Sequence, residues 1–155
     1  MKLNFKSSVL FVEGIQRSRD FYENLLEQTV ELDHGECVIY CGGFSIFKKD
    51  YAKVLGDSLT VSTNNNHNVE LYFETEEIEG LQEKIFIAQV KLVHPINEQP
   101  WGQRVLRFFD PDGYIIEVGE PMTAVIKRLL AQGLSVEAVT DRTSMPIEAV
   151  RSCLD

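Results

Sequence analysis

Hydrophobic and polar positions alternate along the chain in an order that occurs twice. Each half predicts a strand, then a helix with apolar side chains at helical spacing, then three further strands. In the first half these segments are residues 8–12, 15–28, 29–33, 36–41 and 44–49. In the second half they are residues 69–75, 77–89, 90–95, 103–109 and 114–119, and the polar run 62–68 predicts a linker between the halves. The pattern therefore predicts βαβββ, linker, βαβββ.

The repeat also relates individual positions. Aligning the two helices pairs Ser7 with Glu70, and aligning the glycines that open the last strands pairs Phe47 with Glu117. Side chains alternate between the two faces of a strand, so Glu70, Tyr72 and Glu117 are expected on the face that points away from the covering helix. Glu117 interrupts an otherwise apolar strand, and this alternation assigns it to the concave face of the sheet rather than to the core.

The last 34 residues lie outside the repeat. Residues 123–133 predict an amphipathic helix that ends at Gly133, and two shorter helices follow around the turn "RTSM", with Ser135 as an N-cap. This arrangement resembles a helix-turn-helix. The last helix offers only Arg151 for reading base edges, which disfavours DNA binding. We expect a small helical lid or a dimer-contact appendage.

The charge of the chain excludes several classes of partner. The formal net charge is −9 over 155 residues, and the last 34 residues contain four basic and four acidic residues, so the surplus negative charge belongs to residues 1–121. Acidic surfaces repel phosphate backbones and anionic membranes. No apolar run approaches the ~20 residues that a membrane span needs. We expect neither nucleic acid nor membrane as a partner.

Compartment is indicated by the N-terminus and by the cysteines. The opening segment "MKLNFKSSVLFVEG" lacks a continuous apolar stretch and a small-residue cleavage site. Cys37, Cys41 and Cys153 form an odd set without metal-binding spacing. Free thiols in a reducing environment are the expected state, so the sequence predicts a cytoplasmic protein.

Three segments carry a family resemblance: "VLFVEGIQRSRDFYENLL", "VELYFETEEIEGL" and "PWGQRVLRFFDPDGYIIEVGE". The third is the most specific, with Trp-Gly, two strands around a DPDG turn, and a glutamate four residues after the glycine. Together they resemble the vicinal oxygen chelate superfamily, which holds glyoxalase I, bleomycin-resistance proteins, fosfomycin-resistance enzymes and extradiol dioxygenases. The resemblance covers residues 1–121.

That resemblance implies an α+β fold in which two βαβββ modules, about 1–61 and 68–121, form a curved mixed sheet with helices outside. Residues 122–155 would then be a C-terminal helical appendage to a domain of residues 1–121. Because the family's members pair their modules within or across a homodimer, a homodimer is implied as well.

Members that use a metal ion draw ligands from the first and last strands of each module. The matching positions here are Ser7, Phe47, Glu70 and Glu117. Glu117 fits the family pattern and Glu70 replaces a usual histidine, but Ser7 is a poor ligand and Phe47 cannot coordinate. Zinc, nickel and ferrous sites favour imidazole. We expect no tightly held transition metal, with a weakly bound divalent ion on the two glutamates as the alternative.

The three histidines of the chain are not expected to supply the missing metal ligands. His34 precedes a glycine in a turn, His67 lies in the polar linker with the wrong parity for the face of Glu70, and His94 precedes Pro95 at a predicted strand end. A histidine on a loop reaches a metal only with favourable geometry.

Two carboxylates that face one hollow have consequences of their own. Close together, Glu70 and Glu117 repel each other, so one is expected to hold a proton and to act as a general acid or base if the protein is an enzyme. A purely structural alternative is that Glu70 pairs with Arg104 or Arg107 across the sheet.

Aromatic side chains complete the predicted ligand site. The only tryptophan, Trp101, lies in the loop that borders the cavity mouth in the family, and Phe47 and Tyr72 have the parity to line its wall. Aromatic faces beside carboxylates suit a planar or cationic organic molecule. The candidate ligand-binding residues are Ser7, Phe47, Glu70, Tyr72, Trp101, Arg107 and Glu117.

The sequence therefore predicts a cytoplasmic, homodimeric protein that binds a small organic ligand in the concave cavity, in the manner of bleomycin-resistance proteins. One alternative is a metal-dependent lyase, isomerase or dioxygenase in which Glu70 and Glu117 are catalytic. Another is a ligand-responsive regulator that uses the helix-turn-helix-like tail. Elemental analysis and DNA retention at low salt separate these possibilities.

Overall fold

The computed structural model describes residues 2–50, 61 and 66–154, and the chain divides into two compact units. Unit 1 spans Met1–Val69 together with Asp110–Tyr114. Unit 2 spans Glu70–Phe109 together with Ile115–Asp155. Among the described residues, no helix is both long and apolar enough to cross a membrane.

Unit 1 has the predicted βαβββ order. Its elements are β1 (Ser8–Val12), α1 (Ile15–Arg19) continued by a π-helical segment (Asp20–Leu25), β2 (Val30–Asp33), β3 (Cys37–Tyr40) and β4 (Phe44–Lys48). The sheet order is β1-β4-β3-β2. β1 runs parallel to β4, and the other neighbours are antiparallel. The helical segment supplies the crossover that a parallel strand pair requires.

The core of unit 1 is aromatic. The rings of Tyr22, Tyr40 and Phe44 lie within 6 Å of one another, with the centroids of Tyr40 and Phe44 4.7 Å apart in a stacked arrangement. Tyr22 and Tyr40 are fully buried. Burial of these rings stabilises the contact between the sheet and the helix.

The DPDG turn belongs to unit 1 although it lies in the second half of the sequence. The carboxylate of Asp110 accepts hydrogen bonds from the Tyr22 hydroxyl at 2.8 Å and from the Tyr114 amide at 2.8 Å. The carboxylate of Asp112 accepts from the Glu13 amide at 3.0 Å. Gly113 has a φ of 83°, the left-handed conformation predicted for the turn. The turn is therefore a structural element that fixes the start of the helix in unit 1.

Unit 2 repeats the same order and adds three helices. Its elements are β5 (Glu70–Glu74), α2 (Ile78–Ile87), β6 (Leu92–Glu98), β7 (Arg104–Phe109), β8 (Ile115–Gly119), α3 (Met122–Ala131), α4 (Val136–Thr143) and α5 (Ile147–Arg151). The sheet order is β5-β8-β7-β6, with β5 parallel to β8. Exposed and less exposed residues alternate along β5, as predicted for a strand with one covered face.

The predicted fold class is confirmed, since each unit holds a four-stranded mixed sheet of identical order and helices follow at the C-terminus. Two boundaries differ. β6 continues through Pro95 to Glu98, where a loop was predicted. The helix predicted over residues 15–28 ends at Leu25 and changes from α to π geometry after Arg19. Residues 62–65 of the predicted linker lie outside the described residues, and the alignment of the two sheets into one curved surface stays a prediction.

The tail forms the predicted helices around an apolar cluster of its own, made by Val125, Ile126, Leu129, Val139 and Val150. Ser135 caps α4, because its hydroxyl accepts a hydrogen bond from the Ala138 amide at 3.2 Å. Gly133 has a φ of 90°, which allows the chain to turn after α3.

Candidate functional site

The exposed face of the second sheet is centred on Arg107, which lies on β7. Its Nε donates to Glu70 Oε2 at 3.2 Å, its Nη2 forms an ion pair with Glu117 Oε2, and its Nη1 lies 3.1 Å from His94 Nε2. The four side chains come from the four strands of the sheet, one from each. The guanidinium therefore ties all four strands together on one face.

His94 joins this cluster through a defined tautomer. Its Nδ1 lies 2.7 Å from the Pro95 carbonyl oxygen, which can only accept a hydrogen bond, so Nδ1 carries the hydrogen. Nε2 is then an acceptor, which matches the donating Nη1 of Arg107. The prediction that the strand ends at His94 and Pro95 is wrong, because β6 continues to Glu98. The His94 side chain contacts Arg107, and the expectation that no histidine supplies a metal ligand stays a prediction.

The two predicted acids occupy different environments. The side chain of Glu117 is only 9% exposed, whereas that of Glu70 is 41% exposed. Both contact Arg107, so the structural alternative in which Glu70 pairs with an arginine across the sheet is observed. The positive charge of Arg107 lies between the two carboxylates and offsets their mutual repulsion.

A divalent metal ion does not fit these residues as they stand. A zinc ion, for example, needs nitrogen and oxygen donors at about 2.0–2.2 Å. Here the Arg107 guanidinium occupies the space between Glu70, Glu117 and His94. Its nitrogens lie 3.2 Å from Glu70 Oε2 and 3.1 Å from His94 Nε2, which are hydrogen-bond distances. No group of three or more potential ligands suited to a metal occurs among the described residues.

The two predicted positions in unit 1 have local roles. The Ser7 hydroxyl donates to the Ser8 carbonyl at 2.9 Å and lies 3.0 Å from the Ser45 hydroxyl. Phe47 makes an edge contact with Phe11 at a centroid distance of 6.3 Å. Neither contact tests a role in ligand binding, so the placement of Ser7 and Phe47 in one site with Glu70 and Glu117 stays a prediction.

A second feature of the unit 2 face is an aromatic pair joined by one amide. Gln103 Oε1 accepts from the Trp101 indole nitrogen at 3.0 Å, and Gln103 Nε2 donates to the Tyr72 hydroxyl at 2.8 Å. The Tyr72 hydroxyl donates onward to Glu74 Oε1 at 2.9 Å. Gln103 is buried, while Tyr72 and Trp101 are 48% and 39% exposed. Both aromatic residues were predicted from the sequence, whereas Gln103 was not.

Gly119 makes this arrangement possible. A Cβ atom at this position would lie 2.6 Å from Gln103 Nε2 and 3.1 Å from the Tyr72 hydroxyl oxygen. The glutamine and the tyrosine therefore meet above a strand position that must lack a side chain. The signal in the sequence is a glycine inside a strand, which often marks a close approach of another group.

The tail is anchored beside the same face by an ion-pair cluster. Glu120 is 3% exposed and accepts from Arg104 Nη2 at 2.6 Å and from Arg128 Nη2 at 2.8 Å. Burial raises the pKa of Glu120, but the hydrogen bonds from both arginines outweigh this effect and lower the pKa to about 2. Arg128 Nη2 also donates to the Gly102 carbonyl at 2.6 Å, next to Trp101. Helix α3 thus supports the tryptophan loop.

An apolar groove lies elsewhere in unit 2, between α2 and β6. It has a volume of about 420 Å³ and is lined by Gln82, Glu83, Phe86, Ile87, Leu92 and Pro95. None of the residues around Arg107 or Gln103 lines it. Its mainly apolar lining differs chemically from the polar face around Arg107.

Comparisons with known proteins identify the fold family. Residues 5–123 match the family described as a glyoxalase-like domain. A protein of unknown function from Agrobacterium tumefaciens is 34% identical, with 78% of this chain and 96% of that chain aligned at a TM-score of 0.70. No functionally curated protein matches the chain.

Two further solved structures share the fold at low identity. Lactoylglutathione lyase from Agrobacterium tumefaciens is 16% identical over 79% of this chain and 96% of that chain, with a TM-score of 0.60. A fosfomycin resistance protein from Listeria monocytogenes is 19% identical over 78% and 95%, with a TM-score of 0.55. The chain belongs to the glyoxalase-like domain family, within the vicinal oxygen chelate superfamily that the sequence motifs predicted.

Proposed function

We propose that the protein binds a small planar organic molecule that carries positive charge, on the exposed face of the second sheet, and that it does so without a tightly held transition metal. The observation that carries the proposal is the pair of exposed rings, Tyr72 and Trp101, held at the two ends of the buried Gln103 amide. Because both rings are fixed by hydrogen bonds before a ligand arrives, little ordering entropy is lost on binding.

Charge on this face favours a cation. Glu70, Glu74 and Glu117 contribute three carboxylates, and Arg107 compensates one of them. The excess negative charge agrees with the net charge of −9 of the whole chain. A cation above an aromatic face and near a carboxylate gains from both the ring quadrupole and the opposite charge.

The superfamily supports this type of function without fixing it. Bleomycin-resistance proteins, which sequester a ligand, are the members nearest to the proposal by resemblance. The fold alone hosts several chemistries, so the proposal depends on the residues of this face and not on the family.

Isothermal titration calorimetry with a matched pair of probes tests the proposal. N-methylquinolinium and quinoline have the same ring system, but only the first carries a permanent positive charge, because quinoline is a weak base that is neutral at neutral pH. We expect the cation to bind about tenfold more tightly, the effect of roughly 1.4 kcal/mol of cation–π and charge attraction. Tyr72→Ala should weaken binding of the cation, and Tyr72→Phe, which keeps the ring, serves as the matched control.

Equal affinity for the two probes would contradict the cationic preference. Unchanged affinity in Tyr72→Ala would contradict the location of the site. Because Trp101 is the only tryptophan, quenching of its emission gives an independent readout of binding near the loop.

The position of His94 beside Glu70 and Glu117 favours the enzyme alternative. In that alternative the protein is a metal-dependent lyase, isomerase or dioxygenase with Glu70 and Glu117 as catalytic residues. Such a site would require Arg107 to leave its three partners. The regulator alternative has less support, because Arg128 and Arg142 of the tail are engaged by Glu98 and are not presented to DNA. Retention of the protein on DNA at low salt would support the regulator alternative.

We further propose that the protein is a homodimer, as the superfamily resemblance implies, and that it is cytoplasmic, in keeping with its free cysteines. Light scattering coupled to size-exclusion chromatography measures the oligomeric state directly. A mass of two chains is expected, and a single-chain mass at micromolar concentration would contradict it.

A further inference from the structure

Arg107 lies between three side chains of metal-ligand type, Glu70, Glu117 and His94, which do not form a metal site as they stand. We infer that its guanidinium is an internal cation in the place of a divalent metal, and that its removal converts Glu70, Glu117 and His94 into a site for a divalent transition metal. The inference concerns the chain's own residues and does not depend on which organic ligand the protein takes.

The donor set supports this inference by its chemistry. The Nδ1 hydrogen of His94 is held by the Pro95 carbonyl, so the lone pair of Nε2 faces Arg107. A hydrogen bond at the second ring nitrogen is the usual device that orients a metal-binding histidine. With the oxygens of Glu70 and Glu117, the set is one imidazole and two carboxylates, and imidazole is a ligand that suits zinc, copper, iron and nickel.

The placement of the donors also supports it. Glu70, Glu117 and His94 come from β5, β8 and β6, and each contacts the guanidinium from a different strand. A rigid sheet therefore holds three donors around one small volume. Glu70 is 41% exposed, so its side chain has the freedom to close the distance from a guanidinium contact to a metal bond.

Arg107 excludes a metal for two reasons. An incoming ion would have to break the ion pair with Glu117, whose side chain is only 9% exposed, and would then lie beside a fixed positive charge. Breaking a buried pair is costly enough that the wild-type chain should bind a divalent ion at least about 100-fold more weakly than a chain without the arginine.

Titration of the purified protein with Co²⁺ tests the inference, because cobalt bound by nitrogen and oxygen ligands has a visible absorption spectrum that reports its coordination. Arg107→Met should bind one equivalent at least about 100-fold more tightly than the wild type. Adding His94→Gln to that variant should lower the affinity about 10- to 100-fold and change the spectrum.

Arg104→Met is the matched control. Arg104 lies on the same strand and pairs with two carboxylates, Glu79 and Glu120, but no histidine. This variant should gain no comparable cobalt affinity, since its carboxylates lack an imidazole partner.

Loss of Arg107 leaves a carboxylate uncompensated, so folding is followed by circular dichroism with and without Co²⁺. A variant that folds only with cobalt supports the inference. If Arg107→Met does not fold under either condition, Arg107→Lys replaces it, because a lysine ammonium cannot engage three partners at once and should leave intermediate cobalt affinity.

Three results would overturn the inference. One is a folded Arg107→Met protein, or a folded Arg107→Lys protein in its place, with no gain in cobalt affinity. Another is a gain that persists in the His94→Gln background. The third is a wild-type protein that already binds cobalt as tightly as the variant. None of these depends on binding of N-methylquinolinium, so the inference and the proposed function fail separately.

Discussion

Replacement of Glu120 by glutamine tests the ion pairs that hold helix α3 beside the second sheet. The substitution keeps the shape of the side chain and removes the charge that Arg104 and Arg128 share, at 2.6 and 2.8 Å. Since Glu120 is 3% exposed, water cannot take over the lost interactions. We expect the variant to be less stable than the wild type at neutral pH.

The size of the expected loss in stability follows from the lowered pKa of Glu120. Burial raises the pKa of Glu120, and hydrogen bonds from Arg104, Arg128 and the Arg104 amide reverse this effect and lower it from 4.5 to about 2. A displacement of this size corresponds to about 3 kcal/mol. The two arginine side chains are 28% and 20% exposed, and solvent screening reduces the expected loss to about 2 kcal/mol.

The effect should depend on pH in a defined direction. The pKa of Glu120 is lower in the folded chain than in the unfolded one, so its contribution is fully present above pH 4.5 and is lost as the pH falls toward 2. At about pH 3 more than half of it should be gone. The difference in stability between the wild type and Glu120→Gln should therefore narrow between about pH 7 and about pH 3.

Urea unfolding followed by circular dichroism at the two pH values measures this difference. Glu148→Gln is the control, because Glu148 is 79% exposed and pairs with Arg151 at the surface, where ion pairs contribute little. Equal stability of Glu120→Gln and the wild type at neutral pH would refute the reasoning. A difference of the same size at both pH values would refute it as well.

Two further substitutions test other parts of the structure. Burial raises the pKa of Asp110 from 3.8 to about 6, so this carboxyl favours the folded state below about pH 4 and loses that contribution, about 3 kcal/mol, as the pH rises through 6. Asp110→Asn should therefore flatten the pH profile of stability between about pH 4 and 7 in urea titrations, and an unchanged profile would contradict this. Gly119→Ala should displace the Gln103 amide, shift Trp101 emission and weaken binding of N-methylquinolinium several-fold. Gly80→Ala, where a Cβ meets nothing within 4 Å, is its control, and an unaltered emission and affinity in Gly119→Ala would count against the role of Gln103.

The order of strands and helices was predictable from the sequence, because side-chain alternation and helical spacing are local properties of the backbone. Alternation placed Glu70 and Tyr72 on the exposed face of β5, as observed. The family motifs then supplied the topology. The hydrogen bond between Tyr22 and Asp110 joins residues 88 positions apart, and no local pattern reports such a contact.

The site was less predictable, and the physical reason is clear at His94. A proline at the next position suggested a strand end, yet β6 is an edge strand of the sheet, where a missing backbone donor is tolerated. The register of β6 also shifts on both sides of His94. These irregularities direct its ring toward Arg107, and sequence spacing does not encode them.

Elemental analysis of the protein, purified without chelators, tests the central claim that a guanidinium and not a metal ion lies between Glu70 and Glu117. Only trace amounts of nickel, zinc, iron and cobalt are expected, with no change in Glu117→Gln. One equivalent of any of these metals, lost in Glu117→Gln, would contradict it.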